Sequence, residues 1–238
     1  GGYRGQGRAY IKLNYFGVDN MSVTPFFRTF TLRIFLAVAF SLSGFAAKAD
    51  IHPGKEYELL SPPQAVETGK KIEVLEIFAY TCPHCFDLEA DINKWAKQLP
   101  KDVEYRRLPV IFSDSLIPLA KVFYTFEAMG LTERLHGEFF SAIHVQHARL
   151  DNDNAVFDWV EKQGVPRKSF IDIYSSFSIQ SKALRAKQLT RAYAISGVPT
   201  IIVDGKYRTS VSNTGSHAGL LSALDQLIRQ ARRERGSK

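Results

Sequence analysis

The feature that most constrains the fold is an apolar segment that ends at two cysteines and leads directly into an amphipathic helix. Residues 72–80 are rich in β-branched and aromatic side chains and are short enough to form a buried strand. Residues 86–99 place apolar side chains at helical spacing, which predicts a helix with one buried face. The motif Cys-Pro-His-Cys at 82–85 lies where the strand ends and the helix begins. Because the N–H groups of a first helical turn have no partner within the helix, they favour a thiolate at Cys82, and we predict a redox-active dithiol.

The charge of the chain is concentrated near its beginning. The formal net charge is +7, but six of the 31 Lys and Arg residues and only one of the 24 acids lie in residues 1–49. Residues 50–238 therefore carry a net charge of only +2. The basic run at 229–235 contains no aromatic side chain and is interpreted as a solvated helix end, so we expect no nucleic-acid partner.

The first 49 residues have the pattern of an export signal. Two arginines precede an apolar run at 34–47, and Ala-Lys-Ala at 47–49 has the small-x-small pattern of a cleavage site. We therefore predict a cleavable signal peptide at 21–49, and we interpret 1–20 as an upstream extension with no role in the fold. A retained membrane anchor is the alternative, although the run is shorter than the roughly 18 residues that a spanning helix needs. After cleavage we expect no stable membrane insertion.

The use of cysteine favours catalysis over structural stabilisation. The chain has two cysteines, and both lie in the motif. A disulfide that encloses only two residues constrains the unfolded chain little, so it would add little stability. A structural disulfide is the alternative, but residues 50–238 are enough to bury a substantial core without one.

The order of the predicted elements indicates the fold class. The β elements are an edge strand at 57–60, the strand at 72–80, a parallel strand at 102–110, and a hairpin around Asp204-Gly205, before a final helix at 219–233. Between 113 and 196 the pattern predicts consecutive helices, at 116–129, 131–150, 153–163, 166–177 and 181–195, with Gly130, Gly164 and Gly197 as caps. We therefore predict an α/β fold, a thioredoxin-like mixed sheet in 50–112 and 197–238 with an inserted all-α subdomain at 113–196.

Two motifs, taken in this order, resemble one known family. They are Cys82-Pro83-His84-Cys85 at the start of a helix and Gly197-Val198-Pro199-Thr200 before a hairpin. Together with the helical insertion they resemble the DsbA family of exported thiol:disulfide oxidoreductases over residues 50–238. The resemblance implies a cis bond before Pro199 and pairing of an extended substrate with the backbone of Val198. The alternative is that Pro199 only begins an edge strand.

The resemblance also implies a place and a set of partners. It implies a periplasmic enzyme that donates its disulfide to reduced, unfolded, newly translocated proteins and that needs no cofactor besides the Cys82–Cys85 disulfide. Reoxidation would come from a DsbB-type, quinone-linked membrane protein. We expect a monomer. A reductase or isomerase of the same fold, and a peptide-binding chaperone, remain alternatives; Pro83 and His84 disfavour the reductase, and the lack of a dimerisation domain disfavours the isomerase.

The residue types assign roles within the motif. Cys82, on the first helical turn, is expected to be the exposed nucleophile, and Cys85, one turn later, to be the buried second thiol. The helix terminus alone is too weak to lower the pKa of a thiol strongly, so backbone N–H groups and the imidazole of His84 are expected to contribute. The alternative for His84 is an exposed residue without a role. Stabilising the thiolate stabilises the reduced enzyme, so the oxidised enzyme should be a strong electron acceptor.

Glu76 interrupts the apolar strand before the motif. If helices cover both faces of the sheet, its carboxyl group is buried and its pKa is raised unless a partner offsets the burial. Arg106 or Arg107 could be that partner, and strand alternation allows only one of them to face it. The resemblance implies proton transfer near Cys85, and an ordinary buried ion pair is the alternative.

Two further groups of residues carry weaker signals. The spacing of His136, His144 and His147 suggests a metal site, but the chain has no further cysteines to complete one, and we do not predict zinc. A second group of aromatic residues is interpreted as core, with a substrate groove as the alternative; its members are Phe112, Phe123, Tyr124 and Phe126.

Overall fold

The computed structural model describes residues 1–2 and 50–236. The predicted signal peptide at 21–49 and most of the predicted extension at 1–20 lie outside the described residues. In the described part of the chain, no helix combines the length and the hydropathy that crossing a bilayer requires.

Strands and helices follow the predicted order. The strands are β1 (Glu58–Leu59), β2 (Ile72–Phe78), β3 (Val103–Pro109), β4 (Thr200–Val203) and β5 (Tyr207–Thr209). The helices are α1 (Pro83–Ala96), α2 (Ile117–Ala128), α3 (Thr132–His144), α4 (Asp153–Lys162), α5 (Arg167–Tyr174), α6 (Phe177–Ala192), α7 (Val211–Thr214) and α8 (His217–Gly236), with a 3-10 turn at Asp114–Leu116.

The strands form one mixed sheet in the order β1-β5-β4-β2-β3. β2 and β3 are parallel, as expected when helix α1 connects them, and the other neighbours are antiparallel. Asp204 and Gly205 turn the chain between β4 and β5, as predicted. The α/β class with a thioredoxin-like sheet is confirmed.

The central strand β2 is buried along its whole length because both faces of the sheet are covered. On one face, Leu75 and Ile77 belong to a core that includes side chains from all of α2–α6. On the other face, Ile72 and Val74 pack with apolar side chains of α1 and α8. Helix α1 therefore has a fixed position against the sheet, and so has its first turn.

Some helix boundaries differ from the predicted ones. Helix α3 ends at His144 instead of Leu150, because the chain turns back at His147, which has a φ of +53°. Helix α6 begins at Phe177, within the segment predicted to end the previous helix. Its start is set by Ser176, whose side chain accepts a hydrogen bond from the N–H of Ile179.

The glycine caps are only partly as expected. Gly130 and Gly164 have φ values of +67° and +77° just past α2 and α4, as predicted. Gly197 does not cap a helix, because α6 already ends at Ala192 and Ala194 takes the left-handed conformation with a φ of +49°. Helix α7 was not predicted, although Ser210 accepts a hydrogen bond from the N–H of Asn213 and Gly215 follows with a φ of +78°.

The aromatic residues interpreted as core separate into two kinds. Phe123, Tyr124 and Phe126 are buried within the insertion. Phe112, which follows β3, is not a core residue, since 51% of its surface is exposed.

Candidate active site

The two cysteines lie at the junction predicted for them. Residues 79–81 connect the end of β2 to Cys82, which is the N-cap residue of α1. Pro83 opens the helix, where its lack of an N–H group costs nothing. The N–H of Cys82 donates to the carbonyl of Ala79 at 3.0 Å, which closes the turn. Cys82 is partly exposed, Cys85 is fully buried, and both thiols are free.

The surroundings of Cys82 favour its thiolate. The thiol of Cys85 donates a hydrogen bond to it, and this contact is the largest cause that lowers the pKa of Cys82 to about 6. Partial burial opposes the shift, while the N–H groups of Cys85 and His84 and the charge of the imidazole support it. Because it donates to an anion and is buried, Cys85 has a raised pKa. The two thiols thus have different roles, one poised as an anion and one held as a proton donor.

His84 acts on Cys82 from a solvent-exposed position. Its side chain is 82% exposed, and its Nδ1 lies 3.9 Å from the carboxylate of Asp87. The imidazole charge is the smallest of the causes given above for the lowered pKa of Cys82. Most of the stabilisation therefore comes from groups that the helix start and the second cysteine place around the sulfur.

A second segment of chain faces the nucleophile. The peptide bond between Val198 and Pro199 is cis, and the Sγ of Cys82 lies 3.4 Å from the carbonyl oxygen of Val198, to which it donates when the thiol is protonated. β4 begins one residue later and pairs on both sides, so Pro199 does not begin an edge strand. A groove of about 600 Å³ lies between His84, residues 195–200 and residues 208–213.

Glu76 is buried in β2 and is paired on one side. The Nε of Arg107 lies 3.3 Å from its carboxylate, and the hydroxyl of Tyr105 donates to it. Burial outweighs these contacts and raises the pKa of Glu76 to about 7, with the neighbouring Glu89 adding to the rise. Arg106 points to the other face, where it pairs with Glu73 at 3.0 Å.

Sequence reasoning missed Glu89, which lies one turn after Cys85 on α1. Its side chain is 10% exposed, it accepts a hydrogen bond from Asn93 at 2.7 Å, and it lies 3.4 Å from Arg107. Burial alone would raise its pKa, but these contacts and the imidazole of His136 lower it. A charged residue four positions after a buried cysteine, and so on the same face of the helix, was a signal that could have revealed it.

The three histidines of the insertion do not come together as a metal site. His136 is buried and bonds to the hydroxyl of Tyr80, His144 bonds to the backbone of Tyr80, and His147 is exposed. The described residues contain no group of three or more His, Cys, Asp or Glu side chains placed to hold a metal ion.

Comparison with known proteins gives consistent similarities. A family model described as DSBA-like thioredoxin domain matches residues 73–225. The chain is 40% identical over 206 residues to the thiol:disulfide interchange protein DsbA of Pseudomonas aeruginosa, covering 86% of this chain and 97% of that protein. It is 38% identical over 203 residues to the protein of the same name from Burkholderia cepacia, covering 85% and 94%.

Solved structures show the same similarity. The crystal structure of Pseudomonas aeruginosa DsbA superposes with a TM-score of 0.76 at 38% identity, covering 79% of this chain and 98% of that one. Reduced DsbA1 from Neisseria meningitidis superposes with a TM-score of 0.72 at 27% identity, covering 80% and 100%.

Proposed function

The chain belongs to the DsbA family of thiol:disulfide oxidoreductases, and we propose that it works as a dithiol oxidase that donates its Cys82–Cys85 disulfide to newly translocated proteins. The observation that carries the proposal is the contrast between the two thiols. The pKa of Cys82 is lowered to about 6 and that of Cys85 is raised. A site that stabilises one thiolate stabilises the reduced enzyme, so its disulfide gives up the S–S bond readily.

The reaction proceeds by two exchanges. In the oxidised enzyme a substrate thiolate attacks the Sγ of Cys82, the enzyme disulfide breaks, and Cys85 leaves as a thiolate that takes up a proton. A second substrate thiolate then attacks the substrate sulfur of the mixed disulfide, which releases Cys82 as a thiolate. The substrate loses two electrons and gains a disulfide, and the enzyme gains both electrons.

The segment at 198–199 supports substrate binding next to the nucleophile. The Sγ of Cys82 lies against the carbonyl of Val198, so a substrate cysteine that reaches this sulfur brings its own backbone alongside residue 198. An extended substrate can bond to the backbone of Val198, which is partly exposed and lines the adjoining groove, and place its side chains in that groove. Pro199 has no N–H group, so the backbone at its position offers no hydrogen-bond donor.

Glu76 is proposed to assist Cys85. A carboxyl group with a pKa near 7 can take a proton and return it at neutral pH, and its charge acts on the Cys85 thiol. Arg107 and Tyr105 hold this carboxylate in place.

The finer assignments follow from the family. We propose that the enzyme is periplasmic, that residues 21–49 direct its export, and that a DsbB-type, quinone-linked membrane protein reoxidises it. The redox group is its own disulfide, with no further cofactor. These assignments rest on the similarity to DsbA proteins and on the pattern of the leader.

The decisive experiment combines an equilibrium and a turnover measurement. The protein without its leader is equilibrated with glutathione buffers to obtain its redox potential, and its oxidised form is then mixed with a reduced client protein. We expect an oxidising potential and stoichiometric formation of client disulfides, both lost when Cys82 and Cys85 are replaced by alanine. A strongly reducing potential would assign a reductase, and an undiminished effect of the alanine variant on client folding would assign a chaperone.

A further inference from the structure

Tyr80 occupies the middle of the turn that carries the dithiol. It lies between Ala79, whose carbonyl accepts the N–H of Cys82, and Thr81, which precedes the nucleophile. The N–H of Ala79 also bonds to the sulfur of Cys85. A shift of Tyr80 would therefore move backbone groups that contact both cysteines.

One helix of the insertion holds this residue at both ends. The Nε2 of His144 donates to the backbone carbonyl of Tyr80 at 2.8 Å, and the Nδ1 of His136 bonds to the Tyr80 hydroxyl at 2.8 Å. The two histidines are eight residues apart on α3, which places them on the same face about two turns apart. Between them, Phe139 and Phe140 contact the Tyr80 ring, with centroids 4.6 and 5.0 Å away.

His136 is oriented within a buried network. Burial lowers the pKa of its imidazole, so it is neutral at neutral pH and carries one N–H. Its Nε2 lies 3.5 Å from the carboxylate of Glu89, which places the proton there and leaves Nδ1 to accept from the Tyr80 hydroxyl. The contact with Glu89 links this part of the turn to α1.

His144 contacts the motif from both sides. Besides its bond to the carbonyl of Tyr80, its ring stacks on Phe86, which follows Cys85, with a centroid distance of 5.2 Å and an interplanar angle of 13°. The end of β2 and the beginning of α1 are thereby tied to the same side chain of the insertion.

We propose that His144 and His136 are positioning residues that clamp Tyr80 and so hold the backbone of the dithiol turn in register with the two sulfurs. The inserted subdomain then has a role in the reaction that goes beyond covering the sheet. The catalytic role of these two histidines rests on the proposed function. Their contacts with Tyr80 are the same whether the enzyme oxidises or reduces its substrate. The hydrogen bond from His144 to the Tyr80 carbonyl is the principal contact, and the hydrogen bond between His136 and the Tyr80 hydroxyl is the second.

Two substitutions at position 144 separate its two contacts. His144→Phe keeps a ring that can stack on Phe86 but removes the donor to Tyr80, whereas His144→Gln keeps a donor of similar reach and removes the ring. The readout is the rate at which iodoacetamide alkylates Cys82 in the reduced protein at pH 6, which measures the thiolate fraction.

We expect alkylation of the Phe variant to be about fivefold slower, the change that a rise of one unit in a pKa near 6 produces, with the Gln variant within about twofold of the parent. Tyr80→Phe, which removes only the hydroxyl bond to His136, should give a smaller decrease. His147→Asn, at an exposed position with a left-handed backbone that asparagine tolerates, is the control and should not alter the rate.

A Phe variant alkylated as fast as the parent would overturn the proposal, and so would equal slowing of the Gln and Phe variants, which would assign the effect to packing. If the Phe variant does not fold, as judged by thermal unfolding, His144→Ala replaces it in the comparison. Slower alkylation of the Ala variant, with unchanged rates in the Gln and Tyr80→Phe variants, would support the role of the bond from His144 to the Tyr80 carbonyl. An unchanged rate in the Ala variant would reject that role. A parent that alkylates rapidly but oxidises no client would reject the proposed function and leave the clamp standing.

Discussion

At the scale of single residues, the chemistry depends on the different environments of two cysteine side chains. Cys82 is the N-cap residue of α1, and its sulfur accepts hydrogen bonds. Cys85 is buried one turn later and donates a hydrogen bond to that sulfur. His84, between them, is mostly in water, so its charge is partly screened. The thiolate is therefore stabilised mainly by short-range donors, and the imidazole adds a smaller contribution.

Removing the donor at Cys85 should raise the pKa of Cys82 markedly. In a Cys85→Ala protein the largest cause of the lowered pKa is absent, and the titration of the remaining thiol should move well above 6. Cys85→Ser keeps a hydroxyl donor and should shift the titration less. The thiolate absorbance near 240 nm, followed as a function of pH, gives the pKa of Cys82 in both variants. Identical curves for Ala and Ser would show that the donor is unimportant.

Replacing His84 by serine should raise the pKa of Cys82 by less than Cys85→Ala does, because the imidazole charge is the smaller cause. The oxidised enzyme should become less oxidising by about 30 mV for each unit of pKa. Equilibration with glutathione gives the potential, and Asp87→Asn, next to the exposed imidazole, is a control for a general charge effect. An unchanged potential in the serine variant would remove His84 from the site.

Glu76→Gln should remove a titration step from the kinetics of Cys85. With its pKa near 7, the carboxyl group is available as a base only above neutral pH, so the oxidation rate of the reduced parent should rise through that region. The glutamine variant should lack this rise. Glu73→Gln is the matched control, since Glu73 is buried on the same strand but pairs with Arg106 instead. Matching profiles for the parent and Glu76→Gln would exclude the relay.

At the scale of elements, charged residues join β2, β3 and α1 beneath the dithiol. The parallel register places Glu76 of β2 opposite Arg107 of β3, and Arg107 also approaches Glu89 of α1. Both carboxylates and the guanidinium are largely withdrawn from water, so each depends on the others for its charge. This cluster fixes α1 against the sheet near Cys85.

Arg107→Met should destabilise the protein by about 3–5 kcal/mol, because it leaves two buried carboxylates without their cation. Urea denaturation measures the free energy of unfolding. Adding Glu76→Gln to this variant removes one unpaired charge and should recover part of the loss. A loss below about 1 kcal/mol for Arg107→Met would mean that water compensates these carboxylates.

At the scale of the whole molecule, the insertion and the thioredoxin-like sheet meet around the active site. Side chains of α2–α6 share a core with β2, and α3 contacts the turn before Cys82. The second face of the sheet is covered by α1 and α8. The dithiol thus lies where the helices between β3 and β4 pack against the sheet.

The stability of the reduced form relative to the oxidised form should increase between about pH 6 and pH 8. The pKa of Cys82 is lowered on folding, so its contribution is fully present above its unfolded value and is lost as the pH falls toward 6. In the folded protein Cys85 stays protonated because its pKa is raised, whereas in the unfolded chain its thiol ionises near its ordinary pKa of about 8.5, which opposes the trend above about pH 8. Thermal unfolding of both forms across this range checks the trend, and a difference independent of pH would contradict it.

Local patterns in the sequence were enough to predict the α/β class, the parallel pairing of β2 and β3, the hairpin at 204–205 and the position of the dithiol. These features depend on periodicity, turn chemistry and residue type, which act over a few neighbours. The end of α3 and the start of α6 were predicted less well, because caps at Ser176 and a left-handed residue at His147 compete with the apolar pattern.

Only the tertiary structure decided which distant side chains meet. Alternation along β3 allowed either Arg106 or Arg107 to face Glu76, and the register with β2 selected Arg107. Histidine spacing in the insertion suggested a metal site, whereas packing of α3 against the turn directs two of these histidines to Tyr80. Arg107 lies 31 positions from Glu76, and the two histidines lie 56 and 64 positions from Tyr80. Such contacts depend on how whole elements pack, and no local pattern contains that information.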